Sequence, residues 1–257
     1  MSAAELEIIE PDWPAPVRVR AAFTLRNGGV SVSPYDSLNL GAGIGDSPEA
    51  VEVNRRRVRE RLRLPAEPVW MEQVHGIDVV RLGVEGPGVP AAAPPKSDAA
   101  VTCEPGHVCV VRVADCMPVL FAARDGSAVG AAHAGWRGLA GGVLEATVER
   151  LGVPASQLLA WMGPTIGPRH FEVGDDVRTA FMAKDAESAL EFRKNERGRW
   201  QCDLYGLARR KLNALGVAGV YGGGWCTFAE SDRFFSYRRD GQCGRMAALI
   251  WIDVGRA

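Results

Sequence analysis

The chain has 257 residues, of which 47% are hydrophobic and 24% charged, and its formal net charge is −1. Those proportions suit a single globular domain over 1–257, since sheet-based domains reach this length undivided. A near-neutral balance supplies no general field for nucleic acid, and the longest apolar run, 108–123, is broken by Arg112 and Asp115, which argues against a membrane span. The first residues carry Glu5, Glu7, Glu10 and Asp12 where a secretory leader needs a basic start and an apolar stretch, so a cytoplasmic protein is expected. Six cysteines in a chain of this size need form no disulfide framework and are read as reduced thiols.

In chain order, 18–25 alternates apolar and polar side chains like a strand, and Asn27-Gly28-Gly29 marks a turn. Ser47 can cap a helix with Pro48 at its first position, continuing to about Leu64 with arginines from Arg55 to Arg63 on its outward face. Two strands, 69–74 and 78–82, are predicted either side of Gly76, followed by a Pro/Gly/Ala-rich surface loop over 86–95. The most strand-like part comes next: 99–102, 108–113, 118–123 and, after the Asp125-Gly126 turn, 128–132, which should form the sheet centre. A helix over 137–151 ended by Gly152, a strand at 158–162, a helix over 204–215 ended by Gly216, and strands at 234–237 and 246–252 complete the reading. Strands and helices interleave without repeats, so the expected fold is a layered α/β (mixed α+β) domain with a mixed sheet flanked by helices.

Only four histidines are present, and two of them share a setting with one cysteine. His75 follows a predicted strand in Gln73-Val74-His75-Gly76, Cys116 follows another in Ala114-Asp115-Cys116, and His133 precedes a Gly-rich turn in His133-Ala134-Gly135-Trp136-Arg137-Gly138. Imidazole and thiolate are the donors that zinc or copper favours, and three protein ligands with a fourth position open is the catalytic arrangement. The spacing matches no compact zinc motif, so packed histidines and a packed cysteine remain the alternative at this level. His107, after a Pro-Gly turn, and His170, after Pro168-Arg169, are expected to be surface histidines, and the remaining cysteines, Cys103, Cys109, Cys202, Cys226 and Cys243, small apolar residues in or near the core.

Further motifs run through almost the whole chain: Ser37-Leu38-Asn39-Leu40-Gly41, Asn54-Arg55, Asp98-Ala99, Gly163-Pro164, Phe171-Glu172-Val173-Gly174, Asp203-Leu204, Cys226-Thr227, Ser236-Tyr237-Arg238-Arg239 and Gly244-Arg245. With the three His/Cys motifs, and in this order, they make the chain resemble the YfiH family, also called laccase-domain or polyphenol-oxidase-like proteins. The resemblance implies a metal held by His75, Cys116 and His133, zinc with copper possible. It also implies purine nucleoside phosphorolysis on adenosine, inosine or methylthioadenosine, sometimes with adenosine deamination. Phe171 departs from the family, which has tyrosine there, and so lacks a hydroxyl at that position.

The partners so implied are a small nucleoside and phosphate, with no nucleic acid or membrane and with the oligomeric state left open. Phosphorolysis needs cations on phosphate, for which arginine's planar fork is suited, and Arg55, Arg137 and Arg238 are the candidates with Arg239 behind them. Asp115 is expected to hydrogen-bond a ligating imidazole, and Asn39 to touch ribose or base on resemblance alone. A deaminase usually has a glutamate two positions after its first histidine; here Asp78 is three away and Glu72 precedes His75, so deamination would need another base. Rival readings are copper-dependent phenol oxidation, a cysteine hydrolase with Cys116 as nucleophile, an editing hydrolase acting on a nucleotide-linked muramoyl-serine precursor, and a non-enzymatic metal-binding protein.

Overall fold

The apolar stretch expected at the sheet centre folds as four strands, β4 (Ala99–Thr102), β5 (Val108–Val113), β6 (Met117–Ala123) and β7 (Val129–Ala134), but it divides between two sheets. The structure, a computed structural model, describes residues 6–83 and 94–255. Among these, β1 (Ile8–Ile9), β2 (Val19–Thr24), β13 (Met246–Ile252) and β5 form a four-stranded sheet in that order. The second sheet has six strands, in the order β12 (Gly219–Gly222), β8 (Leu158–Met162), β6, β7, β4 and β3 (Val79–Arg81). It is mixed, because β12 runs parallel to β8 and β3 parallel to β4 while the central pairs are antiparallel.

The two sheets stack face to face. Phe23, Val111, Ala248 and Ile250 from one meet Leu120, Ala131 and Trp161 from the other in one buried cluster. Outer faces are covered by helices: α1 (Pro48–Leu62) over the four-stranded sheet, and α3 (Val143–Leu151), α4 (Asp175–Met182) and α5 (Leu204–Ala214) over the six-stranded one. Covering both faces explains why β6 reads as a continuous apolar run, with Val119 and Phe121 facing helices and Leu120 and Ala122 facing the other sheet. A small sheet of β10 (Phe192–Lys194), β11 (Trp200–Cys202) and β9 (Glu172–Val173) packs beyond α4.

Several expectations need correction. The segment 69–74 is not a strand: its only ladder contact is an isolated bridge from Glu72 to Lys96, and Gln73 instead pairs through its side chain with Arg112 of β5. The helix expected over 137–151 is two, α2 (Trp136–Gly141) and α3, because Gly142 takes a φ of 117° that only glycine adopts readily. Phe234 and Phe235 are buried but not in a strand; Ser236 instead caps a short helix, α6 (Tyr237–Asp240), by accepting from Arg239 N. Cys103 is exposed rather than packed in the core. Most of the loop expected over 86–95 lies outside the described residues.

Candidate metal centre and its cavity

Three donors meet at one end of the two-sheet sandwich. His133 is the penultimate residue of β7, and Pro118 of β6 lies opposite it in the antiparallel ladder. Cys116, two residues before Pro118, is therefore the diagonal neighbour of His133 on the same face, within side-chain reach. His75 arrives from the loop ahead of β3, and the burial of one carboxylate explains its placement. Asp98 is fully buried and accepts from the backbone N–H groups of Val74, His75 and Gly76 at 3.1, 2.9 and 2.7 Å. The left-handed φ of 61° at His75 turns those three N–H groups toward a single acceptor.

Asp98 Oδ1 also lies 2.8 Å from His133 Nδ1. An ionised carboxylate can only accept, so Nδ1 carries a proton, and in the neutral ring it is Nε2 that offers a lone pair to a ligand. One buried side chain thus holds the backbone of one histidine and the tautomer of the other. Sequence reading gave this orienting role to Asp115, which the structure places elsewhere. Asp115 accepts from Thr227 Oγ1 at 2.6 Å and from Arg238 N at 2.7 Å, and so anchors the segments that carry those residues.

The ligand atoms of His75, Cys116 and His133 all lie within 4.8 Å of one another, with Cys116 Sγ 3.9 Å from His75 Nε2. Donors held about 2.0–2.3 Å from one tetrahedral ion stand roughly 3.3–3.7 Å apart, so the trio fits a metal with a small contraction. Burial alone would push the Cys116 thiol up, but the charge of His133 and hydrogen bonds from both imidazoles carry it down to about 6. His133 moves the opposite way: burial opposes its charge, yet the Cys116 thiolate and then Asp98 raise it to about 9. Without metal the site is accordingly a thiolate beside an imidazolium, half prepared to ligate. Gly135 leaves the space this needs, for a Cβ there would lie 2.7 Å from Cys116 Sγ and 3.2 Å from His75 Cδ2.

The trio opens into a cavity of about 580 Å³. Of the sequence candidates, Arg137, Arg238 and Asp115 line it, and Arg55 and Asn39 do not. Arg55 donates twice to Leu40 O and lies 4.0 Å over the Trp70 ring, facing a separate groove on α1. Asn39 is fully buried and takes Gly41 N and Arg245 N on its Oδ1, both at 2.9 Å, so it braces the chain rather than meeting a ligand. Arg239 is clamped by the carbonyls of Thr227, Phe228 and Phe234 and by Asp240. The cavity instead gains Arg112, Arg245, Trp136 and Tyr237, which sequence reading did not single out. A charged residue inside the apolar strand β5 was the available signal for Arg112. Phe171 lies in the wall with the Arg238 guanidinium 4.9 Å over its ring, so an aromatic face serves there without a hydroxyl. His107 sits by Glu104 and His170 stacks on Phe228, and neither joins the trio.

These features define a layered α/β protein with a His-Cys-His centre that suits a metal ion and opens into a cavity of small-molecule size. The chain belongs to the family described as multi-copper polyphenol oxidoreductase laccase, whose profile matches residues 20–253. It is 53% identical over 246 residues to a purine nucleoside phosphorylase of Pseudomonas aeruginosa, covering 95% of this chain and 98% of that one. With the purine nucleoside phosphorylase YfiH of Escherichia coli K12 it shares 51% identity, covering 96% and 99% of the two chains. Among solved structures, a Neisseria meningitidis protein of family DUF152 matches with a TM-score of 0.90 at 48% identity, covering 96% of this chain and 99% of that one. YlmD from Geobacillus stearothermophilus matches with a TM-score of 0.87 at 36% identity, covering 94% of each. Among the described residues no helix is long and apolar enough to cross a membrane.

Proposed function

We propose that this protein is a zinc-dependent purine nucleoside phosphorylase acting on adenosine, inosine and methylthioadenosine. The observation that carries the reading is the opening of the His75, Cys116, His133 trio into a cavity walled by aromatic rings and arginines. The names of the relatives agree with it. In this reaction a phosphate oxygen bonds to the ribose anomeric carbon while the carbon–nitrogen bond to the base breaks, and the base leaves with a proton. Trp136, Phe171 and Tyr237 offer flat apolar faces to a purine, and Arg137 and Arg238 lie beside two of those rings. A metal held by the trio would supply Lewis acidity in the cavity. Asp98 keeps His133 in the ligating tautomer.

Copper-dependent phenol oxidation, suggested by the family's description, fits the residues poorly. A coupled copper cluster needs many imidazoles, and His107 and His170 are engaged away from the trio. The lowered Cys116 thiol favours one second reading, a cysteine hydrolase with an imidazole as base, for which the muramoyl-serine precursor is the substrate to try.

The deciding experiment follows adenosine by chromatography with zinc-loaded protein, with and without phosphate. Adenine should appear only with phosphate, and chelation or Cys116→Ala should abolish it. Adenine released without phosphate would defeat the reading, and inosine formed without phosphate would mark deamination at the same centre. Metal dependence separates the thiol reading: hydrolysis of the muramoyl-serine precursor that persists in metal-free protein and is lost on alkylation of Cys116 with iodoacetamide supports a nucleophilic cysteine, and hydrolysis absent from metal-free protein rejects it.

A further inference from the structure

Two arginines in the cavity wall have charge but no counter-charge. Arg112 lies in β5 opposite Ala247 of β13, and Arg245 immediately precedes that strand. Alternation puts both on the face of the four-stranded sheet that α1 covers, as diagonal neighbours on adjacent strands. Like charges so placed repel, and burial strengthens the repulsion, so the arrangement costs stability unless something negative sits between them. Among the described residues neither guanidinium forms an ion pair with a carboxylate. Arg112 is held below the ordinary arginine range first by burial and then by the charge of Arg245.

Their forks are held in place but not used up. Arg112 Nη2 donates to Met71 O, and the Arg112 backbone exchanges two hydrogen bonds with the Gln73 side chain at 2.8 and 2.9 Å. Arg245 Nη1 donates to the carbonyls of Cys243 and Gly244, while its own N–H and C=O are fixed by Asn39 Oδ1 and Leu40 N. Nε and Nη1 of Arg112, and Nε and Nη2 of Arg245, have no oxygen partner among the described residues. Both side chains line the cavity, so these donors have a route to a ligand. Arg137 and Arg238 are exposed and their fields are screened by water. The carboxylates in the same wall are engaged elsewhere, Glu72 with Lys96 and Asp115 with Thr227 and Arg238 N.

We infer that Arg112 and Arg245 form the inorganic phosphate site of this protein, with the anion bridging their free N–H edges in the cavity that the metal centre shares. The assignment rests on the phosphorolysis reading above and moves the co-substrate away from Arg55, Arg137 and Arg238. Gln73 gives the site a link to the centre, since it grips Arg112 two residues before His75.

Steady-state kinetics of zinc-loaded protein test it. Arg245→Lys and Arg112→Lys keep the charge but lose the fork, and each should raise KM for phosphate by about tenfold to a hundredfold while KM for the nucleoside changes less than about twofold. An unchanged phosphate KM in both variants, or a parallel rise in both KM values, overturns the assignment. A readout free of turnover and of refolded variants uses the wild type: inorganic phosphate should shield Arg245 from phenylglyoxal, with mapping by mass spectrometry. No shielding at Arg245 when phosphorolysis is present rejects this site and leaves the function standing. Shielding without any phosphorolysis supports the anion site and removes the function.

Discussion

At the scale of single residues, Asp98 is the side chain on which the centre turns. It accepts four hydrogen bonds, three from the loop of His75 and one from the ring of His133. Burial opposes its charge, but the His133 N–H and the backbone of Gly76 and Val74 hold its carboxyl below the usual range. Asp98→Asn should lower zinc affinity by about tenfold to a hundredfold, as loss of an orienting carboxylate commonly does. Competition with a coloured chelator measures this, and an unaltered affinity would show that the ring is oriented by packing alone. Proton linkage gives a second prediction. Ligation needs Cys116 as thiolate and His133 neutral. Between about pH 6 and about pH 9 the thiolate is present but the imidazolium must lose its proton. Zinc affinity should therefore rise about tenfold per pH unit across that window, flatten above it and fall more steeply below it as the thiol protonates. A pH-independent affinity from 6 to 9 in chelator competition would contradict the paired ionisation. The residues alone left the trio open to a packed-side-chain reading, and only the resemblance carried by its motifs selected it as a ligand set. The role of Asp98 was not legible, since a carboxylate 23 residues from one histidine and 35 from the other acquires its meaning only when β4 is laid beside β7.

At the scale of elements, the β6–β7 hairpin sets the geometry. Its register places Pro118 opposite His133 and so brings Cys116 diagonally to the imidazole. The turn into α2 must then clear the sulfur, which Gly135 does. Gly135→Ala puts a methyl group 2.7 Å from Cys116 Sγ, and the backbone φ of −61° there is open to alanine, so the clash and not the backbone is what changes. Overpacking of this kind costs about 1–3 kcal/mol. The expected outcome is a folded protein by circular dichroism with zinc affinity down by about tenfold or more; retained affinity would mean the sulfur can swing aside freely. Elements with strong local signals were legible: the capped helix from Pro48, the strands of 99–134 and the strand Met246–Ile252. Where apolar residues are buried without a ladder, as at Met71 or at Phe234 and Phe235, the same composition misled, because strand propensity reports a half-buried surface and not the partner that completes it. The fate of the arginines was equally hidden. Arg55 and Arg112 differ in role because one stacks on Trp70 at the helix surface and the other ends a strand at the cavity, a distinction no local pattern carries.

At the scale of the whole molecule, the centre joins parts of the chain that are distant in sequence, and a metal bound to it stabilises only the folded state. With free zinc at a hundred times its dissociation constant, that linkage contributes about 2.7 kcal/mol. For a chain of this size, chelation should lower the melting temperature by roughly 5–10 °C in calorimetry. No shift on chelation of zinc-loaded protein would show that the three ligands do not act together. The two large sheets also divide the residues of the site. Cys116 and His133 come from the six-stranded sheet, and Arg112 and Arg245 from the four-stranded one. The chain passes between them only three residues after β5 ends, through Ala114, Asp115 and Cys116, and Asp115 takes a left-handed φ of 83° to make the corner. That corner works as a spacer of set length between the His-Cys-His centre and the arginine pair. Lengthening it by a residue or two would leave each layer free to assemble, yet the donors on one and the cations on the other would have lost their common measure.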